Sequence, residues 1–407
     1  MSRTMKALGT LPRGIAAAGA LALFTSCAAI DSTGRVRDLD AALRARALNP
    51  AAVVVPFAVS DSMRVWARAQ VNADAPPKEK LRQLLSALLA KEGMNLEYQS
   101  DNTATAEEVF ASGRANCLSF TNIFVGLARE IDVPAYFVEV KDLQGFTKEG
   151  DLIIVSGHVT AGYGDKSDQT LLDFTLGQAK AYRQVRTISD LTAISMFYSN
   201  RGARLLRDGD NPSAERWLAT AVALDAGLPG AWVNYGVALR RLGKMDAAQT
   251  AYRKALEVDP NALSAYQNLA ALLRMEGKES EAMDLLAFVD RRDNKNPWSY
   301  LDLGDLNLRH GRVVEAERFY QRAMRLANDD PEPYSAMGLL SLQSGDSTGA
   351  RKWLRKAEHQ GGPKGTRTEQ LAQRLNAAPA TPVRSAQRRQ PSIPPSQTSF
   401  ASPPSLN

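Results

Sequence analysis

The sequence predicts an α+β domain followed by an all-α solenoid, with a disordered tail at the C-terminal end. Apolar residues from Asp61 to Met94 follow helical spacing, and the runs 133–140, 152–160 and 170–176 read as strands, so helices come first and a sheet after them. From about Ile194 the chain repeats itself every 34 residues with no insertion. Beyond Lys364 it turns to Pro, Ser, Gln and Ala, a composition that cannot bury enough surface to offset its ordering entropy.

Length and charge bound the remaining possibilities. The 407 residues, 44% of them apolar, suffice for two or three packed domains. The net charge of +6 is carried by the ends: residues 1–26 hold +3 and residues 364–407 hold +5, which leaves −2 for the body. A near-neutral body offers no electrostatic footprint for DNA or RNA, so no nucleic-acid partner is expected.

At the N-terminus Arg3, Lys6 and Arg13 precede an apolar run from Gly14 to Phe24, too short to span a bilayer and of the length of a signal h-region. The run ends in Leu23-Phe24-Thr25-Ser26-Cys27, which resembles the lipobox of bacterial lipoproteins, where small residues precede a cysteine that is acylated and becomes the first residue. The resemblance implies a signal peptide over 1–26 and lipidation of Cys27. With Ala28 after the cysteine, it also implies an outer-membrane anchor on the periplasmic face. Phe24 stands where an aliphatic residue is usual, which leaves an ordinary signal peptide as the alternative. Residues 27–58 read as a tether that passes into weak helix.

The α+β domain is expected over 59–193. Met63, Val65 and Trp66, then Leu81, Leu84, Leu85, Leu88 and Leu89, mark its first helices. Thr105 is placed to cap a short helix ending at Gly113, and a longer helix follows Asn116 with Phe120, Phe124, Leu127 and Ala128 on one stripe. Cys117 opens that helix, where unpaired amides and the helix dipole favour a thiolate. With Cys27 lipidated, Cys117 has no disulfide partner; the bland alternative is a small buried hydrophobe. His310 and His359 belong to the repeats, so His158 is the candidate base of this domain. His158 and Asp173 flank the polar run 162–169, and a hairpin centred between Asp165 and Lys166 sets them directly opposite each other. Their Cβ atoms would then lie about 4.5–5.5 Å apart, letting the acid orient the imidazole toward a nucleophile.

Gly113-Arg114-Ala115-Asn116-Cys117-Leu118-Ser119-Phe120, with Gly157-His158-Val159 and Leu172-Asp173-Phe174, resembles the transglutaminase-like superfamily over roughly residues 60–190. The resemblance implies a papain-like cysteine protease type of core in which Cys117 is nucleophile, His158 base and Asp173 orienter. Ala115 stands where the family often has Gly. Leu118 replaces the Trp of crosslinking members, which implies simple hydrolysis rather than lysine–glutamine crosslinking. Asn116 is a candidate oxyanion donor beside the Cys117 backbone amide.

The 34-residue period shows as columns: Gly202, Gly236, Ala270, Gly304 and Gly338; Ala214, Ala248, Ala282, Ala316 and Ala350; Ala221, Ala255, Val289, Ala323 and Ala357; and Trp232, Tyr266, Tyr300 and Tyr334. Small residues suit the closest approach of paired helices, aromatics the wedge between pairs, and Pro260 and Pro331 break the chain between units. The pattern resembles tetratricopeptide repeats over 194–364, five units starting near 195, 229, 263, 297 and 331. A capping helix through Leu371 and Leu375 can follow within the otherwise disordered, basic 365–407 segment.

That resemblance implies a groove lined by the inner helices. Inward positions carry Arg207, Arg240, Arg241, Arg274 and Arg309, with Asn200, Asn234 and Asn268 at the usual asparagine position. Such a groove would hold an acidic or C-terminal-carboxylate peptide; the equal alternative is arginines on a solvated face. The expected function is therefore an envelope lipoprotein whose cysteine-dependent acyl-transfer domain acts on a protein recruited by the repeats. An inactive adaptor, or a structural tether, are the alternatives. No cofactor and no metal are expected: three scattered histidines make no ligand cluster, and no phosphate-cradling glycine loop is present.

Overall fold

The computed structural model describes residues 32–377, except 101–102, 150–151, 166, 174–181, 293–294 and 361–364. The expected signal segment, Cys27 and the tail beyond residue 377 lie outside the described residues. The chain divides into two compact units, Met1–Val289 and Asp290–Asn407.

The first unit opens with α1 (Ser32–Arg44), α2 (Asp61–Ala69) and α3 (Pro77–Leu89). Part of the stretch expected as a tether belongs to the core: Leu43 is 1% exposed and Phe57 9%, and Leu39, Leu48, Val53 and Val55 pack around the same apolar cluster. Enough apolar side chains stand in 39–57 to give that segment a buried face, which weak helical periodicity did not announce. Next come β1 (Glu97–Tyr98), α4 (Ala106–Ser112) and β2 (Arg114–Ala115), with β1 and β2 paired in parallel. The helix α5 (Cys117–Glu130) is buried on every side from Leu118 to Ala128, as befits a core helix rather than an amphipathic one.

A four-stranded sheet follows, built from β3 (Tyr136–Glu149), β4 (Leu152–Tyr163), β5 (Thr170–Leu172) and β6 (Val185–Ile188) in the antiparallel order β5-β4-β3-β6. The last strand is four residues with only Ile188 buried, too short and too polar to read from sequence. The β4–β5 register differs from the expected one. Ala161 pairs with Leu172, Gly162 with Leu171 and Tyr163 with Thr170, a shift of two that places Asp173 diagonal to His158 rather than directly opposite. The turn accounts for this: the Asp165 carboxylate accepts the amides of Ser167 (2.8 Å) and Asp168 (3.1 Å), and Gly164 takes φ +91°, so the connection is longer than a tight hairpin. Because side chains alternate with period two, an even shift keeps both residues on one face.

The helical pairs of this unit are α6 (Asp190–Arg207) with α7 (Asn211–Leu224), α8 (Pro229–Arg241) with α9 (Met245–Val258), and α10 (Leu263–Met275) with α11 (Glu279–Asp290). No boundary in the core falls at 193. Ile194, Phe197, Tyr198, Ala221 and Leu224 lie in one apolar cluster with Phe120, Phe124 and Phe137. Polar bonds cross the same line: Val54 N–H donates to Tyr198 Oη at 2.8 Å, and Arg129 clasps Asp190 through two bonds of 2.8 Å.

The second unit holds α12 (Pro297–Arg309), α13 (Val313–Leu326), α14 (Pro331–Gln343), α15 (Ser347–Glu358) and α16 (Thr366–Ala377). The helix α16 is the capping helix expected through Leu371 and Leu375 and is half of a sixth repeat, since Ala372 falls 34 residues beyond Gly338. It buries Leu371 and Leu375, and the buried Arg367 guanidinium meets Asp305 at 2.6 Å and Glu332 at 3.5 Å. Small residues are needed where helices of a pair touch: a Cβ at Gly304 would lie 2.2 Å from the Tyr320 ring, and one at Gly236 would lie 2.4 Å from Tyr252. A further column marks the inner turn of each pair. Gly209, Gly243, Gly277, Gly311 and Gly345 all have φ between +72° and +83°, the left-handed region that glycine enters without steric cost.

Candidate active site

Cys117 is delivered to its place by a relay of local caps. Thr105 and Glu108 form a reciprocal capping box on α4, and Gly113 ends that helix at φ +69°. The two residues of β2 then pair with β1, and Asn116 caps α5 by accepting the Ser119 amide at 2.8 Å. Cys117 is the first residue of α5, half-buried and free of disulfide. Thr121, one turn on and fully buried, donates to Cys117 O (2.8 Å) and lies 3.2 Å from Val159 O, so a single hydroxyl locks the nucleophile's turn against the strand that carries His158.

His158 lies on β4 opposite Val140 of β3. Its Nε2 is 2.9 Å from Asp173 Oδ2, and the two side chains are 21% and 15% exposed, shielded but reachable. Thr160 fixes the acid's neighbour by donating to Leu172 O at 2.6 Å. The Cys117 thiol lies close enough to the imidazole to act on its charge. With Asp173 on Nε2, the ring nitrogen left for the thiol is Nδ1. Burial acts to lower the His158 pKa, but hydrogen bonds to Asp173 and Cys117 and the charges of both groups outweigh it and raise it from 6.5 to about 9.

The three sequence-predicted residues are thus together. Two tyrosines were missed. Tyr182 donates to Asp173 Oδ2 and its oxygen is 3.3 Å from His158 Nε2, so it stands beside the acid–base contact. Partial burial of the Tyr98 hydroxyl, and after it the nearby charges of Cys117 and Asp173, raise the pKa of this β1 residue. Neither carries a periodic or motif signal; only the fold brings them in. Asn116, weighed as an oxyanion donor, is 7% exposed and its Nδ2 donates to Thr103 Oγ1 at 2.8 Å, so its amide serves the cap.

The residues expected to line the groove have local partners of their own. Asn200 Nδ2 donates to Thr103 Oγ1 (3.2 Å), Asn234 Nδ2 to Ser199 Oγ (3.0 Å), and Asn268 Nδ2 to Ser264 O of its own helix (2.8 Å). Arg241 donates to Leu206 O at 2.5 Å, Arg240 reaches Met275 Sδ at 3.9 Å, and Arg309 acts electrostatically on Tyr320. Arg207 is exposed and Arg274 half-buried. Among the described residues no group of His, Cys, Asp and Glu is placed to hold a metal ion, and no helix is long and apolar enough to cross a membrane.

Residues 64–160 match the model of the transglutaminase-like superfamily, a span that includes Cys117 and His158 and ends before Asp173. Tetratricopeptide-repeat models match 229–262, 251–284 and 273–340. No curated protein matches the chain significantly. Among solved structures, Pseudomonas aeruginosa PilF is 22% identical with a TM-score of 0.40, over 45% of this chain and 83% of that one. PilW, a type IV pilus biogenesis factor, is 18% identical with a TM-score of 0.40, over 45% of this chain and 85% of that one. A thermophilic tetratricopeptide-repeat protein of Thermus thermophilus is 22% identical with a TM-score of 0.39, over 45% of this chain and 97% of that one. The chain therefore carries a transglutaminase-like domain joined to a series of tetratricopeptide repeats.

Proposed function

We propose that this chain is a cell-envelope lipoprotein whose transglutaminase-like domain performs cysteine-dependent acyl transfer, as a peptidase or amidase, on a protein or peptide held by its repeats. The observation that carries the reading is the His158–Asp173 contact of 2.9 Å, with Cys117 at a helix N-terminus and close enough to act on the same ring. Cys117 Sγ attacks an amide carbonyl, its S–H proton being the one that His158, with its raised pKa, carries. The tetrahedral oxyanion lies within reach of the first free amides of α5. His158 then gives the proton to the departing nitrogen as the C–N bond breaks, leaving a thioester that water resolves through the reverse proton path. Leu118 in place of tryptophan favours water over a lysine amine as acceptor. The anchor is assigned to Cys27 from the residues that precede it, and the envelope location follows from the anchor.

The test uses the full chain and a thiol-reactive amide mimic, with labelling of Cys117 followed by mass spectrometry. The wild type should label about 10²- to 10³-fold faster than His158→Ala. Equal, slow labelling of both would make the domain an inert fold and the chain an adaptor.

A further inference from the structure

The chemistry above makes no use of a polar clasp that joins α5 to α6, the first helix of the array. Thr103 is 6% exposed, and its hydroxyl accepts two amides: Asn116 Nδ2 at 2.8 Å and Asn200 Nδ2 at 3.2 Å. Asn116 is the cap of the nucleophile's helix, its Oδ1 accepting both the amide and the hydroxyl of Ser119 at 2.8 Å. Ser119 Oγ in turn accepts Ala104 N–H at 2.7 Å. The segment 103–104 is therefore sewn to α5 on one side and met by Asn200 of α6 on the other. The next residue, Arg201, pairs with Glu108 at 2.6 Å, the same glutamate that closes the cap of α4 on Thr105 at 2.7 Å. At its far end α5 is held to Asp190, the first residue of α6, through Arg129.

The orientation of the Asn116 amide depends on what Thr103 does. A threonine hydroxyl can accept or donate, whereas an asparagine presents a carbonyl on one side and an NH2 on the other. The donor from Asn200 holds Thr103 as an acceptor. Thr103 then takes the NH2 of Asn116, and the carbonyl of Asn116 is left to face the Ser119 amide. Without Asn200, Thr103 is free to donate; an Asn116 turned to meet it would aim NH2 at the Ser119 N–H and open the cap.

We propose that Asn200 is a positioning residue for Cys117: acting through Thr103 and Asn116, it fixes the helix terminus that carries the thiol, so the first array helix is a working part of the active site. Its effect on rate rests on the acyl-transfer reading; its effect on α5 does not. The amide at the first repeat's asparagine position is on this account spent inside the protein rather than on a partner.

The experiment uses the full chain with Asn200→Ala, Thr103→Val, the double variant, and Arg201→Ala as a control that removes the neighbouring ion pair without touching Thr103. Two quantities are read: hydrogen exchange at the Ser119 backbone amide, and the pH profile of Cys117 alkylation by iodoacetamide. Asn200→Ala should speed Ser119 exchange about tenfold and slow alkylation about tenfold, the size of one buried hydrogen bond. The same change should add nothing in the Thr103→Val background, and Arg201→Ala should leave Ser119 as in the wild type. Unaltered Ser119 exchange in Asn200→Ala, losses that multiply in the double variant, or an equal rise in Arg201→Ala would each overturn the inference. If wild type and His158→Ala alkylate alike while Ser119 answers to Asn200, the enzyme reading fails and the positioning of α5 stands. If His158 matters and Asn200 does not, the enzyme reading stands and the positioning role falls.

Discussion

His158 sits between an acid and a thiol, and its proton belongs to that pairing rather than to the solvent. Its pKa rises from 6.5 to about 9 because the bonds to Asp173 and Cys117 outweigh the burial that opposes them. A group whose folded pKa is raised stabilises the fold fully below its unfolded value, and that contribution is lost as the pH climbs through the folded one. Wild-type melting temperature should therefore fall between about pH 6.5 and pH 9 relative to Asp173→Asn, in which the acid's charge is gone. The ring resonances of His158 should titrate near 9 in the wild type and at least one unit lower in Asp173→Asn. Parallel melting curves and an unmoved titration would show that Asp173 does not hold the proton. At this scale the cysteine, histidine and aspartate were legible, because a nucleophile at a helix start and a polar turn between two strands are local signals. Tyr182 and Thr121 were not. Each acts through a contact set by tertiary packing, and a tyrosine or a threonine has no preferred sequence distance from an imidazole.

Between residue and molecule, the helices of the repeats were read far better than the hairpin beside the site. A period of 34 residues survives insertion-free because each helical pair copies the next, so columns of small residues identify every pair. The β4–β5 register was read two positions off because the Asp165 side chain, not the backbone alone, shapes that turn. The helices α6 and α7 raise a different matter: by sequence they open the array, and by packing they close the core of the transglutaminase-like domain. Ile194, Phe197 and Leu224 are at most 1% exposed, and burying each is worth about 1.5–3 kcal/mol. Their sum approaches the whole stability of an ordinary domain. A chain ending at residue 193 should consequently lack near-ultraviolet circular dichroism and a cooperative melt, while one ending at 289 keeps both. Equal melting of the two would mean that the core is complete without the first pair.

Taken as a whole, the molecule segregates its charge: a body at −2 between an N-terminal segment at +3 and a C-terminal one at +5. The near-neutral body adds no electrostatic hold on a membrane, so on the proposed reading the acyl chains on Cys27 carry the anchorage. Cys27→Ser should thus move the chain from the detergent-extracted membrane fraction to the aqueous one, with the Cys117 labelling rate unchanged; retention in the membrane fraction would dismiss the lipid anchor. The boundary between sheet domain and array was the part of the whole least open to sequence reading, since periodicity marks where copying begins and says nothing about which neighbours the first copy packs against.

The half-repeat at the end of the array has its own consequence. In α16, Arg367 pairs with Asp305 of α12 and Glu332 of α14, and so ties the last helix back to two helices before it. A unit appended after residue 377 would leave this guanidinium and both of its partners in place. The last helix is thereby fastened by one side chain, and a change at position 367 would loosen it while leaving the helices before it intact.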